Sequence, residues 1–308
     1  MKKLLLANPR GFCAGVVRAI AIVERALEHF GAPIYVRHEV VHNAFVCNAL
    51  RQKGAIFIEN LSEVPSGATL IFSAHGVSKA VRDEAQKRGF RVFDATCPLV
   101  TKVHVEVKKM HQNGQKVVMI GHKAHPEVEG TMGQVEGGMF LVEKAADIEN
   151  LPLLENEKVA YVTQTTLSVD DAAAQIAALK SRFPNLSAPK KADICFATQN
   201  RQDAVKALAR ECAVIFVVGS ANSSNSRRLK EVAQSQGAAA YLIDDERDIN
   251  PEWLANVESV GVTAGASAPE ILIARVIAFL EDFLKTRAEN LKGIAEENVE
   301  FALPAPFK

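Results

Sequence analysis

Residues 93–104 read FDATCPLVTKVH and set a cysteine, Cys97, between a short apolar run and an amphipathic one. Pro98 follows it directly. Proline suits the first turn of a helix, where its missing N–H would have had no intrahelical partner. The stretch therefore predicts a β-strand that ends just before Cys97 and a helix that starts just after it. A free cysteine at such a junction has two readings. It is a small buried hydrophobe, the usual fate of the residue type, or it is a thiolate favoured by the amides at the helix start.

Two further cysteines occupy the same kind of junction, Cys13 in GFCAGV and Cys195 in ICFATQ. After Cys13, apolar residues at Val16, Ile20, Val23 and Leu27 trace one helix face, with Gly31 as its C-cap and Pro33 beyond. Elsewhere short apolar runs alternate with helical stretches. They are IYVRHEV, TLIFSAH, KVVMIGH, VAYVTQT, CAVIFVVGS and ESVGVTAG, and LLLA at the N-terminus reads as a first strand from Leu4 to Ala7. Continuous apolar runs of this kind predict parallel strands covered on both faces, hence an α/β fold.

The polar residues that follow these strands repeat. From Cys13 to His42 is 29 residues, from Cys97 to His125 28, and from Cys195 to Ser223 28. A third polar station follows in each case: His75, the TQTT ending at Thr166, and Ser267. The pattern predicts three similar packed units. Their bounds are 14–97, 98–192 and 1–13 with 193–285, leaving 286–308 as a C-terminal tail. Ligands of parallel α/β sheets sit beyond the C-terminal strand ends, so three units facing one centre would bring all these stations together.

The chain of 308 residues balances 36 Lys and Arg against 36 Asp and Glu, so no global field directs it to nucleic acid or to a membrane. No run approaches the roughly 18 apolar residues of a membrane span, and the apolar run at the N-terminus is too short for a signal peptide. Five scattered cysteines lack the density of a disulfide scaffold. These features point to a cytoplasmic protein with reduced thiols. No spare apolar helix face stands out, which favours a monomer.

Taken singly, each candidate residue has an ordinary structural reading. His42 and His75 follow β-runs, where they serve either as turn and cap residues or as donors to phosphate oxygens beside helix amides. Ser223, Ser224, Asn225 and Ser267 are either N-caps or anion contacts. His125 and Glu127 flank Pro126, and Glu127 is either a dipole-favouring first-turn acid or a buried proton donor with a raised pKa. Ser168 with Asp171 resembles a capping box, which leaves Thr165 and Thr166 upstream to relay a proton or orient a hydroxyl. Three cysteines in equivalent slots, without a C-x-x-C motif, fit an iron–sulfur cluster or zinc. Cys47 and Cys212 fall outside that slot and are assigned to packing.

Together, LLANPRGFCAGV, YVRHEVVHN, IFSAHGV, FDATCPLVTKVH, GHKAHPEVEGTMGQ, TQTTLSVDD, NSSNSRRL and GVTAGASAPE resemble the 4-hydroxy-3-methylbut-2-enyl diphosphate reductase family, in order and over nearly the whole chain. The resemblance implies a trefoil of three small α/β domains, with mainly parallel sheets, around a central iron–sulfur site. It implies Cys13, Cys97 and Cys195 as ligands of a [4Fe–4S] cluster with one open iron. It places diphosphate contacts on His42, His75, His125, Ser223, Ser224, Asn225 and Ser267, and proton delivery on Glu127 and Thr165, with His125 beside them. The implied substrate is an allylic diphosphate, and the implied electron donor is flavodoxin or ferredoxin. The competing classes are a three-cysteine zinc hydrolase and a non-catalytic phosphometabolite-binding protein.

Overall fold

The computed structural model describes residues 2–291 and 296–307. The strands are β1 (Lys3–Leu6), β2 (Ile34–Arg37), β3 (Ala55–Ile58), β4 (Thr69–Phe72), β5 (Arg91–Asp94) and β6 (Lys116–Ile120). They continue as β7 (Met139–Val142), β8 (Val159–Thr163), β9 (Val214–Val218), β10 (Ala239–Ile243), β11 (Ser259–Ala264) and β12 (Ala288–Asn290). The helices are α1 (Ala14–Phe30), α2 (Ala44–Gln52), α3 (Lys79–Lys87), α4 (Pro98–Gln112) and α5 (Pro126–Met132). They continue as α6 (Ala145–Glu149), α7 (Val169–Arg182), α8 (Phe196–Ala209), α9 (Ser224–Ser235) and α10 (Glu270–Leu284).

The strands form three sheets, ordered β3-β2-β4-β5, β7-β6-β8 and β10-β9-β11-β1-β12. Every pairing between them is parallel, as the continuous apolar runs predict. One order recurs: an inner strand lies between the next two strands in sequence, and a fourth follows. In the second sheet that fourth position shrinks to a single parallel bridge from Ala160 to Ser187. The segments in the fourth position, β5, Ser187 and β1, are the ones that lead into Cys97, Cys195 and Cys13.

The described chain divides into two compact units, one of Met1–Val16, His42–Val46 and Phe196–Glu300, the other of Val17–Val41, Cys47–Cys195 and Phe301–Lys308. In the first, strand alternation feeds two cores. Val214, Phe216 and Val218 pack with Leu272, Ile273, Val276 and Leu280 of α10. Ile215 and Val217 turn the other way, onto Ala204, Val205 and Leu208 of α8 and Leu229 and Val232 of α9. In the second unit, Val118, Ile120, Val159 and Tyr161 pack with Leu179 of α7. Val117, Met119, Ala160 and Val162 meet Val103 and Val107 of α4. Tyr35, Leu70 and Phe72 anchor a separate cluster. Each fully buried aliphatic or aromatic side chain contributes about 1.5–3 kcal/mol of transfer free energy.

Four strands went unnoticed in the sequence, β3, β7, β10 and β12, and all four lie at sheet edges. Edge strands are covered on fewer sides, so their apolar signal is diluted: β3 and β10 both carry exposed positions. The last, β12, pairs with β1 inside the segment read as a tail. Among the described residues, no helix is long and apolar enough to cross a membrane.

Candidate active site

Each of the three cysteines sits at the start of a helix: Cys13 before α1, Cys97 as the N-cap of α4 with Pro98 behind it, and Cys195 before α8. One backbone device holds all three. The Cys97 N–H donates to Ala74 O (3.0 Å), that of Cys195 to Thr165 O (3.1 Å) and that of Cys13 to Ala266 O (3.1 Å). Ala74, Thr165 and Ala266 each lie two residues beyond a strand, β4, β8 and β11 respectively. The residues immediately after them are His75, Thr166 and Ser267, the third stations of the sequence repeat. The second stations match as well, since His42, His125 and Ser223 each lie five residues past β2, β6 and β9.

In the larger unit these residues form one connected chain. Cys97 is tied to Ala74, whose neighbour His75 meets the His125 ring edge-on at 5.8 Å between centroids. His125 caps α5, its Nδ1 accepting from the Glu127 N–H at 3.1 Å. An accepting Nδ1 places the neutral ring's proton on Nε2. Glu127 is 3% exposed, and its carboxylate accepts from the Thr165 N–H at 2.6 Å and from the Thr165 hydroxyl at 2.9 Å. Burial outweighs those two hydrogen bonds and pushes the Glu127 carboxyl up to about 7. Such a group is protonated often enough near neutrality to donate a proton and is restored as readily. Thr165 closes the chain by accepting from Cys195.

The smaller unit gathers the remaining stations. The Ala266 N–H donates to Asn225 Oδ1 at 2.9 Å, and the Ser267 hydroxyl donates to His42 O at 2.9 Å. Ser223 caps α9 by accepting from the Ser226 N–H. The start of α9 fits tightly between strand ends: a Cβ on Gly219 or Gly265 would stand 2.3 or 2.0 Å from Ser226 Oγ, so only glycine fits at either position. Ser223, Ser224 and Asn225 are all under 5% exposed. Asn225 Nδ2 is buried without a hydrogen-bond partner. A buried amide donor left unmade is costly, and a phosphate oxygen would satisfy it.

The thiols divide as their positions suggest. None of the five is in a disulfide, and Cys13, Cys97 and Cys195 are half-buried while Cys47 and Cys212 are buried. The Cys47 thiol donates to Val41 O within its packing environment, and burial pushes the Cys212 thiol up to about 12. Each of these half-buried thiols at a helix start is of the kind that ligates a cluster as a thiolate. Among the described residues, no three His, Cys, Asp or Glu side chains gather as ligands of a single metal ion.

Three features escaped the sequence reading. Lys102 on α4 reaches Lys191 O (2.6 Å), Ala192 O (3.0 Å) and Asp193 Oδ1 (3.0 Å), tying the helix that starts at Cys97 to the segment entering Cys195. Asp193 also accepts from the Thr163 N–H, and burial raises its carboxyl to about 6. His104, the last residue of the opening stretch, is held down to about 4 by burial first and then by Lys108 and Arg82, so it packs as a neutral ring. Arg201 is 1% exposed. Its signal was present: it shares a helix face with Ala197, Ala204, Val205 and Leu208.

The family model for LytB protein matches residues 4–281. The chain is 65% identical over 302 residues to a 4-hydroxy-3-methylbut-2-enyl diphosphate reductase of Azoarcus sp. (strain BH72), covering 98% of this chain and 96% of that one. It is 64% identical over 302 residues to the reductase of the same name from Dechloromonas aromatica (strain RCB), covering 98% of each. Among solved structures it is similar to the E-1-hydroxy-2-methyl-but-2-enyl-4-diphosphate reductase from Plasmodium falciparum. That match has a TM-score of 0.97 at 41% identity and covers 99% of this chain and 96% of the other.

Proposed function

The chain belongs to the LytB family and is an oxidoreductase, and from that premise we propose that it removes the hydroxyl of 4-hydroxy-3-methylbut-2-enyl diphosphate reductively. Two electrons and two protons enter, water leaves, and isopentenyl or dimethylallyl diphosphate results, as the last step of the non-mevalonate isoprenoid route. The observation that carries this reading is the shared seat of Cys13, Cys97 and Cys195, each with its N–H on a carbonyl two residues past a neighbouring strand. We read the three sheets as three repeated units, 14–97, 98–192 and 1–13 with 193–285, the last sheet carrying β12 as an added edge strand beyond its unit.

In this reading the three thiolates hold a [4Fe–4S] cluster. When bound, that group supplies electrons and an open, Lewis-acidic iron. The chain's own residues do the rest. Ser223, Ser224, Asn225 and Ser267, with His42, His75 and His125, bind the diphosphate through mostly neutral donors, so its binding energy fixes the carbon chain. Glu127 donates a proton toward the departing hydroxyl, and Thr165 orients that carboxyl through its N–H and hydroxyl. His125 fixes the first turn of α5 and with it Glu127. The electrons come from a flavodoxin or ferredoxin in the cytoplasm.

Anaerobic purification, an iron and sulfide assay and a visible spectrum test the reading. The expected protein is brown, contains iron and sulfide and bleaches on reduction. Colourless protein with stoichiometric zinc sinks it. Turnover with dithionite and a viologen separates an enzyme from a binding protein, which would take up the diphosphate and release no product. Cys97→Ser should lose or degrade the cluster; a variant with full iron content and activity removes Cys97 from the ligand set.

A further inference from the structure

Arg201 is among the largest fully buried side chains of the protein, and a buried guanidinium persists only where every face is paired. Its Nε and Nη2 donate to Gly11 O at 3.1 and 2.8 Å, and Nη2 also reaches Phe12 O at 3.3 Å. Its Nη1 donates to Ala197 O and to both carboxylate oxygens of Glu297 at 2.9 and 3.0 Å. Asn200 holds the same carboxylate from the preceding position at 3.1 Å. On its other side the Gly11 turn has no slack. Gly11 has φ +71, and a Cβ there would stand 2.9 Å from Ile273 Cδ1.

Two of the three carbonyls that Arg201 grips belong to the two residues directly before Cys13. We infer that Arg201, neutralised by Glu297, is the positioning residue of Cys13, so that the segment carrying Glu297 forms part of the seat of that thiol. The Cys13 N–H has its strand-end carbonyl, and the Gly11 N–H donates to Ala264 O at the end of β11 (3.3 Å), while the carbonyls of this left-handed glycine turn accept from Arg201. Charge-assisted bonds from a buried guanidinium fix both of its carbonyls. Removing the carboxylate leaves that guanidinium buried without its counter-charge, which loosens the grip without deleting it. The inference rests on Cys13 being a ligand, as proposed above, but its test does not require the cluster.

The experiment measures iodoacetamide alkylation rates of Cys13, Cys97 and Cys195, peptide by peptide, in the full chain stripped of metal. Wild type is compared with Glu297→Gln and Arg201→Lys. Cys97 and Cys195 serve as references within the same molecule. The Cys13 rate relative to them should rise by about tenfold in Glu297→Gln, the weight of one charge-assisted hydrogen bond, and by more in Arg201→Lys. Anaerobic protein carrying iron should also release it to a chelator faster in both variants. An unchanged Cys13 ratio in Glu297→Gln overturns the inference, and so does equal acceleration of all three thiols, which signals general loosening. A wild type that takes up neither iron nor sulfide defeats the cluster reading, while the alkylation ratio still decides the role of Arg201.

Discussion

The turn after β6 and the turn after β9 are built alike and equipped differently. Each places its key residue five positions past an inner strand and caps a helix with it, His125 on α5 and Ser223 on α9. The first turn then offers Glu127, a buried acid held up to about 7. The second offers serines and an asparagine, none of which titrates, with one buried amide donor unsatisfied. One backbone geometry thus hosts a buried acid with a raised pKa in one unit and a set of neutral donors in the other. Side-chain identity in an equivalent slot, rather than fold, separates the two turns.

The comparison breaks most directly at Glu127. Glu127→Gln keeps the shape and can still accept from Thr165, but it holds no transferable acid proton. Turnover should drop by about 10²–10⁴, the usual weight of general acid catalysis, while affinity for a diphosphate inhibitor stays within a few-fold. An unchanged rate returns Glu127 to the ordinary role of a helix-start acid. At the other turn, Asn225→Ala should weaken diphosphate binding by about tenfold to a hundredfold, with kcat moving far less than KM. A kcat loss as deep as that of Glu127→Gln would erase the distinction between the two turns.

Acidity offers a third probe. Turnover that needs the protonated Glu127 carboxyl should fall as pH rises through about 7. Stability should follow the same group. A solvated glutamate releases its proton at 4.5, whereas the folded chain keeps it up to about 7. Between those values the folded state binds more protons, so its advantage is complete below the lower one and is lost as pH rises through the upper. The full span is on the order of 3 kcal/mol. Asp193, raised from 3.8 to about 6, acts the same way in a lower window. The smallest expected effect is therefore a fall in wild-type melting temperature between pH 4.5 and about 7 that is much shallower in Glu127→Gln. Parallel curves for the two proteins would exclude Glu127 as its source.

Much of this arrangement was legible in the chain. Each strand anticipated from an apolar run is an inner one, or in the case of β8 and β5 one joined at its far side or standing beside a cysteine junction. Inner strands are covered on both faces and along both edges, and that leaves a continuous apolar signature. The junction residues were legible because helix starts select Ser, Asn and Pro for local reasons. Lys102 and Asp193 were not, and Arg201 went unread although it shares its helix face with apolar residues. In sequence a charged residue reads as solvent-facing, and only its burial beside distant carbonyls reveals a brace.

By itself, then, the sequence determined the α/β class, the three cysteine junctions and the residues at each strand end, because strand burial and helix starts are encoded within a few neighbouring positions. Only the tertiary structure decided that Glu127 bonds Thr165, 38 residues away, and that Arg201 reaches Gly11, 190 residues away. Burial raises the pKa of the Glu127 carboxyl against the pull of its Thr165 hydrogen bonds, and the second pairing holds the turn before one thiol. Both depend on desolvation and on hydrogen bonds between remote segments, which no local pattern records.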